Sequence, residues 1–165
     1  EQAKEGKQSL RLLTGPGDKV SVKRDIGKLG EAFYLEGSLM RLKEGGSAFI
    51  GLEADAGAAD SGDLPPLIAI ALNAEGVAQL IVGEDAHNTH IGFNPLLWAR
   101  FKLRIWRESD DRVGGQLLIN DKDSGLVIAQ VLGQVVFGLV YYRLVVGGSG
   151  AQTYYDVIKA GRLEY

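Results

Sequence analysis

The sequence predicts an all-β sandwich, and three observations carry that prediction. Short runs of alternating or wholly apolar residues recur along the chain at regular spacing, about a dozen in number, with turn residues between them and no convincing helix. The 23 glycines are spread along the chain, which is typical of a fold with many tight turns. The segment from Trp98 to Trp106 has one apolar face, and an apolar face requires a second layer to cover it.

The central hairpin, residues 95–121, is the clearest predicted element. Apolar and polar side chains alternate in its first strand, and successive side chains of a strand point to opposite faces of the sheet. The predicted inward residues are Ala99, Phe101, Leu103 and Ile105. The predicted outward residues are Trp98, Arg100, Lys102, Arg104 and Trp106. The outward face is therefore basic, with a tryptophan at each end.

The strands before this hairpin are separated by turn residues rich in glycine, proline, asparagine and aspartate. They are predicted at residues 9–12, 20–23, 32–43, 48–54, 67–72 and 77–82. In the third of them, Phe33, Leu35 and Leu39 share one face. Residues 55–66 form the longest predicted loop, which is acidic, and residues 83–94 form a second loop that carries both histidines.

The strands after the hairpin complete a chain that we interpret as one domain, residues 1–165. They are predicted at residues 126–131, 135–146 and 153–160, with turns at residues 122–125 and 147–150. A net charge of −3 argues against general nucleic-acid binding, which requires a clustered basic surface. No apolar run approaches the ~20 residues that a membrane-spanning helix needs.

The cysteine count excludes disulfides and thiolate metal sites, because the chain has no cysteine. The first residues, EQAKEGKQ, contain neither an initiator methionine nor a signal peptide. We interpret the chain as a trimmed or mature product and expect it to be exported, to the periplasm or the extracellular space.

Several segments resemble, in order, the strands of the concanavalin A-like lectin/glucanase superfamily, the laminin-G-like jelly rolls. The matching strings are GKQSLRL and KVSVKRDI near the start, then AFYLEGSLMRL, LLWARFKLRIWRE, GGQLLINDKDSG and finally TYYDVIKAG. The resemblance rests on the order of the predicted strands and turns and on their residue patterns, and it covers nearly the whole chain. It departs from the usual Asp-Gly turn, because Asn120-Asp121 stands at that position.

The resemblance implies a two-sheet antiparallel jelly-roll β-sandwich of about 12 strands, with one slightly concave face. The superfamily includes glycosidases, lectins, carbohydrate-binding modules and structural modules. The fold alone therefore does not choose among these functions.

Glu53-Ala54-Asp55 is the segment nearest to a catalytic motif. Glucanases of the resembled superfamily carry a Glu-x-Asp-x-(x)-Glu strand, and Glu53 and Asp55 would lie on one face about 7 Å apart. The second glutamate would fall on Gly57 or Ala58 and is missing. Since a glycosidase needs two carboxyl groups across the scissile bond, we assign no catalytic residue and interpret these acids as solvated.

Two further groups of polar residues are candidate metal ligands. His87 and His90, with Glu84 and Asp85, offer imidazoles and carboxylates, but zinc sites with closely spaced histidines usually lie on a helix or add a fixed third ligand. We therefore expect a polar surface loop and assign no metal ligand. Structural calcium, common at a sandwich rim in the resembled superfamily, would require the dispersed residues Asp55, Asp60, Asp63 and Asp156.

The basic face of the central strand is the predicted ligand-binding surface. Aromatic rings stack on the apolar faces of sugars, and arginine supplies hydrogen-bond donors. We assign ligand binding to Trp98, Arg100, Arg104 and Trp106. The two tryptophans are about 27 Å apart along an extended strand, so they mark the two ends of a groove. The alternative is that the arginine and lysine stems cover a solvated outer face.

The predicted function is a non-catalytic recognition or accessory module of an exported bacterial protein, binding an oligosaccharide or polysaccharide. It predicts a groove lined by aromatic and polar side chains, with no cofactor beyond the possible calcium. A structural or protein-docking module is the alternative, and it predicts an exposed apolar patch or edge strand. A glycosidase or polysaccharide lyase would require clustered acids or a Tyr-His pair in the groove.

Overall fold

The computed structural model contains twelve strands and one short helix in the part of the chain that it describes. The described residues are 10–12, 19–28, 32–41, 45–54, 67–109, 112–132, 141–149 and 153–163. The strands before the central hairpin are β1 (Leu10–Leu12), β2 (Lys19–Lys28), β3 (Ala32–Arg41), β4 (Ser47–Ala54), β5 (Leu67–Leu72), β6 (Val77–Val82) and β7 (Asp85–Gly92). The remaining elements are β8 (Ala99–Ser109), β9 (Arg112–Ile119), β10 (Lys122–Asp123), α1 (Ile128–Leu132), β11 (Tyr141–Ser149) and β12 (Thr153–Arg162).

The strands form two antiparallel six-stranded sheets, which confirms the predicted all-β sandwich. Sheet I has the order β1-β12-β3-β8-β9-β10, and sheet II has the order β2-β11-β4-β5-β6-β7. The strands adjacent in space are mostly distant in sequence, since β12 pairs with β3 and β11 with both β2 and β4. The single described helix is too short to cross a membrane.

The core lies between the sheets and is built from alternate residues of each strand, as period-2 patterning requires. Its fully buried side chains in sheet I include Phe33, Leu35, Leu39, Phe101, Leu103 and Ile105. Those in sheet II include Ile50, Leu52, Ile68, Ile70, Leu72 and Leu80. The predicted inward residues of the central strand and of β3 are therefore confirmed, and the opposite faces of the same strands form the outer surface of sheet I.

Gly37 lets the two sheets approach closely at the centre of β3. A Cβ atom there would lie 3.3 Å from Ile158 Cγ1 and closer still to Ile50 Cδ1. The absence of a side chain is what admits the Ile50 side chain from sheet II. This inward glycine is paired in register with Phe101 of β8, which fills the neighbouring volume.

The strand predicted at residues 126–131 is wrong, because this segment contains the helix α1. Ile128 and Leu132, one helical turn apart, are both buried. A Cβ atom on Gly115 would lie 2.9 Å from Ile128 Cβ, so the helix fills the inward space that this glycine of β9 leaves open. A short apolar run does not by itself distinguish a strand from a helix, and here the missing side chain in β9 favours the helix.

The loop predicted at residues 83–94 is wrong over most of its length, since residues Asp85–Gly92 form β7. This strand is an edge of sheet II and is largely exposed, so its composition is polar and resembles that of a loop. The Thr89 hydroxyl donates a 2.7 Å hydrogen bond to the carbonyl of Ala78 and holds the strand to β6. His90 has a φ of 61° next to an irregularity in the pairing, which interrupts the strand's edge.

The turn predicted at residues 147–150 is also wrong in part, since β11 continues to Ser149. Gly147, Gly148 and Ser149 pair with β2 on one side and β4 on the other. A run of glycines in a sequence favours a turn, but here pairing with the strands on both sides keeps Gly147 and Gly148 in the sheet. Residues 135–140, the first part of the predicted strand at 135–146, lie outside the described residues.

Candidate ligand-binding face

The outward side chains of β8 lie on the outer face of sheet I, between β3 and β9. Arg100, Lys102, Arg104 and Trp106 are partly exposed, whereas the residues that alternate with them are fully buried. The register places Tyr34 beside Arg104, Glu36 beside Lys102 and Ser38 beside Arg100. Adjacent strands are about 4.8 Å apart, so these outward residues form rows across the sheet.

Strand β12 extends the same rows on the other side of β3. Lys159 pairs with Glu36 and Gly161 with Tyr34. The register of the β12–β3 pairing shifts between Asp156 and Lys159. These two residues are an odd number of positions apart and would face opposite sides of a regular strand, but because of the shift both lie beside outward residues of β3. Lys159 is exposed, while Asp156 is buried in the row of Ser38.

Two adjacent cavities on this face share the lining residues Glu36 and Lys102. The first, of about 210 Å³, extends towards Arg100 and Asp121. The second, of about 390 Å³, extends towards Arg104 and Arg162. We call this surface the basic groove. Its charged lining residues are Glu36, Arg100, Lys102, Arg104, Asp121, Lys159 and Arg162.

Both acidic residues of the basic groove have basic partners. The Nζ atom of Lys102 lies 3.7 Å from Oε2 of Glu36, with the two side chains 38% and 25% exposed. Arg100 forms an ion pair with Asp121 through Nη2 and Oδ2. Solvent-exposed pairs of this kind contribute only about 0–1 kcal/mol to stability, so water and ligands can compete with them.

The backbone of Arg100 is anchored to the turn that carries Asp121. Asn120 Oδ1 accepts a 2.9 Å hydrogen bond from the Arg100 N–H, and the Asn120 N–H donates one of 2.8 Å to the Arg100 carbonyl. Asn120 and Asp121 have φ values of 49° and 67°, which asparagine and aspartate tolerate better than most residues. The Asn120-Asp121 departure from Asp-Gly is therefore compatible with a tight turn.

Arg104 has a buried donor without a partner. Its Nε atom is inaccessible to solvent and has no hydrogen-bond acceptor among the described residues. Leaving such a donor unpaired costs about 1–3 kcal/mol, and a native structure that bears this cost calls for an explanation. The remainder of the side chain is partly exposed and lines the wider end of the basic groove.

Two aromatic rings on this face lie over glycines of neighbouring strands. A Cβ atom on Gly114 would lie 2.6 Å from Cε2 of Trp106, so the indole occupies that space. A Cβ atom on Gly161 would lie 3.3–3.4 Å from ring carbons of Tyr34. Each ring thereby covers exposed backbone, a structural role that also presents an aromatic surface on the outer face.

The predicted ligand-binding residues are therefore only partly brought together. Arg100 and Arg104 line the basic groove, whereas Trp106, the next outward residue of β8 after Arg104, lies on the same face but lines neither cavity. Trp98 precedes β8, is partly buried and does not line either cavity. Their role in binding stays a prediction.

Sequence reasoning missed the groove residues that come from β3 and β12. Alternation along β3 contained a signal for Tyr34 and Glu36, because both alternate with the buried Phe33 and Leu35. Alternation counted from Asp156 would have placed Lys159 on the opposite face, and the bulge in β12 reverses that expectation. Arg162 at the strand end carried no comparable signal.

Glu53, the described one of the two acids considered for catalysis, lies on sheet II. Glu53 is on β4 and partly buried, and Asp55 lies outside the described residues. The neighbouring strand β5 places Ala69 and Ala71 on the same face as Glu53, and both alanines are buried. This part of β5 therefore supplies no second carboxylate to Glu53.

The candidate metal ligands form no cluster in the described part of the chain, which contains no group of three histidine, aspartate or glutamate side chains suited to a metal. His87 is partly buried and His90 exposed on the edge strand β7. Of the four aspartates considered for calcium, only Asp156 is described, and Asp55, Asp60 and Asp63 lie outside the described residues.

No protein-family model and no curated protein matches the chain. Among solved structures, an endo-β-1,4-glucuronan lyase from the fungus Trichoderma reesei has a TM-score of 0.63 at 13% identity, over 96% of this chain and 83% of that one. The alginate lyase Aly36B has a TM-score of 0.59 at 12% identity, over 95% and 82%. The carbohydrate recognition domain of Emp46p, in its metal-free form, has 0.54 at 10%, over 93% and 82%.

These similarities agree with the two-sheet topology and confirm the resemblance at the level of the fold. The chain has the concanavalin A-like jelly-roll architecture, shared with polysaccharide lyases, glycanases and a lectin domain. At 10–13% identity, the likeness establishes fold and does not transfer activity.

Proposed function

We propose that this chain, a concanavalin A-like jelly roll, is a non-catalytic module that binds an oligosaccharide or polysaccharide along the basic groove. The observation that carries the proposal is the presence of two adjacent cavities across the outer face of β12, β3 and β8. Carbohydrate sites combine polar groups that fix orientation with an aromatic surface, and the groove offers both.

The shape of the groove favours an extended ligand. From Arg100 to Arg104 it follows β8 for about 13 Å, and it is open along this length. Tyr34 lines the wider end and Trp106 is the next outward residue of β8 beyond Arg104. A chain of sugars fits this arrangement better than a compact ligand does.

The pairing of the groove's acids supports a binding role rather than hydrolysis. A glycosidase uses one carboxylic acid and one carboxylate on either side of the scissile bond. Glu36 and Asp121 each lie beside a basic side chain, and the described residues that line the groove include no further carboxyl group. We assign Arg100, Arg104 and Trp106 to ligand contact, and Trp98 to a peripheral position.

The proposal treats residues 1–165 as one exported domain, extracellular or periplasmic, with no cofactor required for binding. The similar structures include a carbohydrate recognition domain and enzymes named for polysaccharides, which supports a carbohydrate ligand for this fold. A structural calcium ion held by aspartates among Asp55, Asp60, Asp63 and Asp156 stays a proposal that the binding experiment tests.

A glycan-array screen of the purified chain, with calcium and again with EDTA, tests this function. We expect selective binding that is lost in Lys102→Gln and Trp106→Ala, and retained in Arg112→Gln. Arg112 provides the matched control because it is exposed, pairs with Glu108 at 3.1 Å and lines neither cavity. Loss of binding in EDTA would indicate the calcium site, and a blank array under both conditions would contradict the proposal.

A catalytic function has a specific observation in its favour, because several similar structures are lyases. Lyases cleave uronate polymers by elimination and leave an unsaturated product that absorbs ultraviolet light. Incubating the chain with each bound polymer and following this absorbance separates the two functions. A steady rise in absorbance that persists in Arg112→Gln and disappears in Lys102→Gln would show that the chain is a lyase rather than a non-catalytic binding module.

Protein docking is the second candidate, favoured by two adjacent exposed leucines. Leu96 and Leu97 are 60% and 51% exposed, and Leu96 has a φ of 71°, which is unusual for a residue of its size. An exposed apolar pair held in a strained turn is typical of a contact surface. Self-association that Leu96→Gln together with Leu97→Gln abolishes, combined with a blank array, would favour this function.

A further inference from the structure

We infer that the ligand of the basic groove is an acidic polysaccharide whose carboxylate groups pair with Lys102, Arg104, Lys159 and Arg162. This inference rests on the proposed carbohydrate-binding function and specifies the class of sugar. It follows from three features: the charge balance of the groove, the weakness of its internal ion pairs and the guanidinium of Arg104 at the wider end.

The groove concentrates positive charge on an otherwise acidic protein. Five basic and two acidic side chains line the two cavities, a formal excess of three positive charges. The whole chain carries a net charge of −3, so this distribution opposes the overall composition. A cleft lined by one sign of charge attracts ligands of the opposite sign and raises their rate of association.

The internal acid Glu36 leaves Lys102 and Lys159 accessible to a ligand. Glu36 stands between Lys159 of β12 and Lys102 of β8, so one carboxylate faces two lysines. Its 3.7 Å separation from Lys102 exceeds hydrogen-bond distance, and both side chains are partly solvated. A ligand carboxylate can therefore approach Lys102 and Lys159 without first breaking a buried ion pair.

Arg104 adds a donor suited to a planar anion. A guanidinium binds a carboxylate through parallel N–H donors, a geometry that an ammonium group does not reproduce. Tyr34 stands beside Arg104 in register, and the Arg104 Nε atom is buried, so a ligand carboxylate would meet the terminal nitrogens of the guanidinium. The Arg104 side chain lines the wider end of the groove, and Arg162 lines the same cavity.

The spacing along the sheet favours a polymer with repeated charges. Lys102 and Arg104 are two residues apart on β8, about 7 Å, and Lys159 lies two strands from Lys102, about 10 Å. Cations distributed over this area contact charges on successive or alternate sugars. A single anion would engage only one end of the groove.

Calorimetric titration with soluble oligosaccharides of β-1,4-linked glucuronate tests the inference, with the same oligosaccharides after carboxyl reduction as the neutral counterpart. We expect the reduced sugars to bind at least about tenfold more weakly, since each hydrogen bond to a charged group that is lost weakens binding by about tenfold or more. Lys102→Gln and Arg104→Gln should each weaken binding by about tenfold to a hundredfold, and Arg112→Gln by less than about twofold.

Two further measurements distinguish recognition of carboxylates by Arg104 from a general attraction between charges. Arg104→Lys keeps the positive charge but loses the parallel donors, so we expect it to bind glucuronate nearly as weakly as Arg104→Gln. Raising sodium chloride from about 50 mM to about 500 mM should weaken the binding of glucuronate and leave any binding of the neutral sugars unchanged. Thermal melts of each variant verify that it is folded before its affinity is interpreted.

The other outcomes overturn specific statements. Equal affinity for the acidic and reduced sugars would overturn the charge-based inference and leave the carbohydrate-binding function intact. Failure to bind either, together with a blank glycan array, would overturn both. Equally tight binding of a sulfated glycan or of duplex DNA would overturn carboxylate recognition in favour of a general anion-binding surface.

Discussion

Arg41 Nη2 donates a 3.1 Å hydrogen bond to the carbonyl oxygen of Phe93, which joins two residues 52 positions apart in sequence. The Arg41 side chain lies at the end of β3 with only 2% of its surface exposed, and its Nη1 atom donates to the carbonyl of Ala74 at 3.0 Å. The Leu96 N–H donates in turn to the Arg41 carbonyl at 2.8 Å. One buried guanidinium therefore ties β3 to the β5–β6 turn and to the segment that leads into β8.

We expect Arg41→Met to destabilise the fold by about 3–5 kcal/mol. The substitution keeps much of the side chain's volume but leaves buried carbonyl groups without a donor, and breaking a buried charged network has this magnitude. Urea denaturation measures the loss in the free energy of unfolding. Arg112→Met, an exposed arginine, should change it by less than about 0.5 kcal/mol, and similar values for the two would contradict the role of Arg41.

Gly114→Ala should displace the Trp106 indole and destabilise the fold by about 1–3 kcal/mol, since the added methyl group would lie 2.6 Å from Trp106 Cε2. Tryptophan fluorescence reports the displacement as a shift of the emission maximum. Gly92→Ala is the control, because a Cβ atom there meets nothing within 4 Å. An unchanged spectrum in Gly114→Ala would show that the indole does not cover this glycine.

Leu103→Ala should cost about 2–5 kcal/mol because Leu103 is fully buried in the core. The adjacent Arg104→Ala should cost far less, because its side chain points to the outer face. Thermal unfolding of the two variants compares them directly. A reversed order of the two costs would mean that the register of β8 is shifted by one residue.

Tyr155→Phe should destabilise the fold by about 1–2 kcal/mol without changing the shape of the core. The buried Tyr155 hydroxyl donates to the carbonyl of Gly147, which connects β12 of sheet I with β11 of sheet II. Phenylalanine retains the ring and leaves that carbonyl unpaired. Chemical denaturation followed by circular dichroism measures the loss, and unchanged stability would show that this hydrogen bond contributes little.

The central strand shows how much could be predicted from the sequence. Its alternation assigned Ala99, Phe101, Leu103 and Ile105 to the core and Arg100 and Arg104 to the outer face, and the structure confirms this division. The prediction succeeded because the side-chain period of a strand is local and a one-residue slip would expose the entire apolar set. The all-β class and the hairpin of β8 and β9 rest on the same local signal.

The candidate site was only half visible in the sequence because strand pairing is not local. The groove requires β3 to lie between β12 and β8, which places Tyr34 and Glu36 beside residues about 70 positions later in the chain. The bulge in β12 brings Lys159 to the same face against the simple alternation. Neither arrangement has a signature in the composition of its own segment.

The sequence by itself therefore determined the all-β class, the inward and outward faces of the central strands and the basic character of one outer surface. These follow from side-chain chemistry repeated at the period of a strand. Tertiary structure alone decided the order of strands, the helix that fills the space beside Gly115 and the edge strand that holds the histidines. These features depend on which distant segments pack against one another. The free energy of that packing is a property of the pair of segments, so neither segment shows it alone.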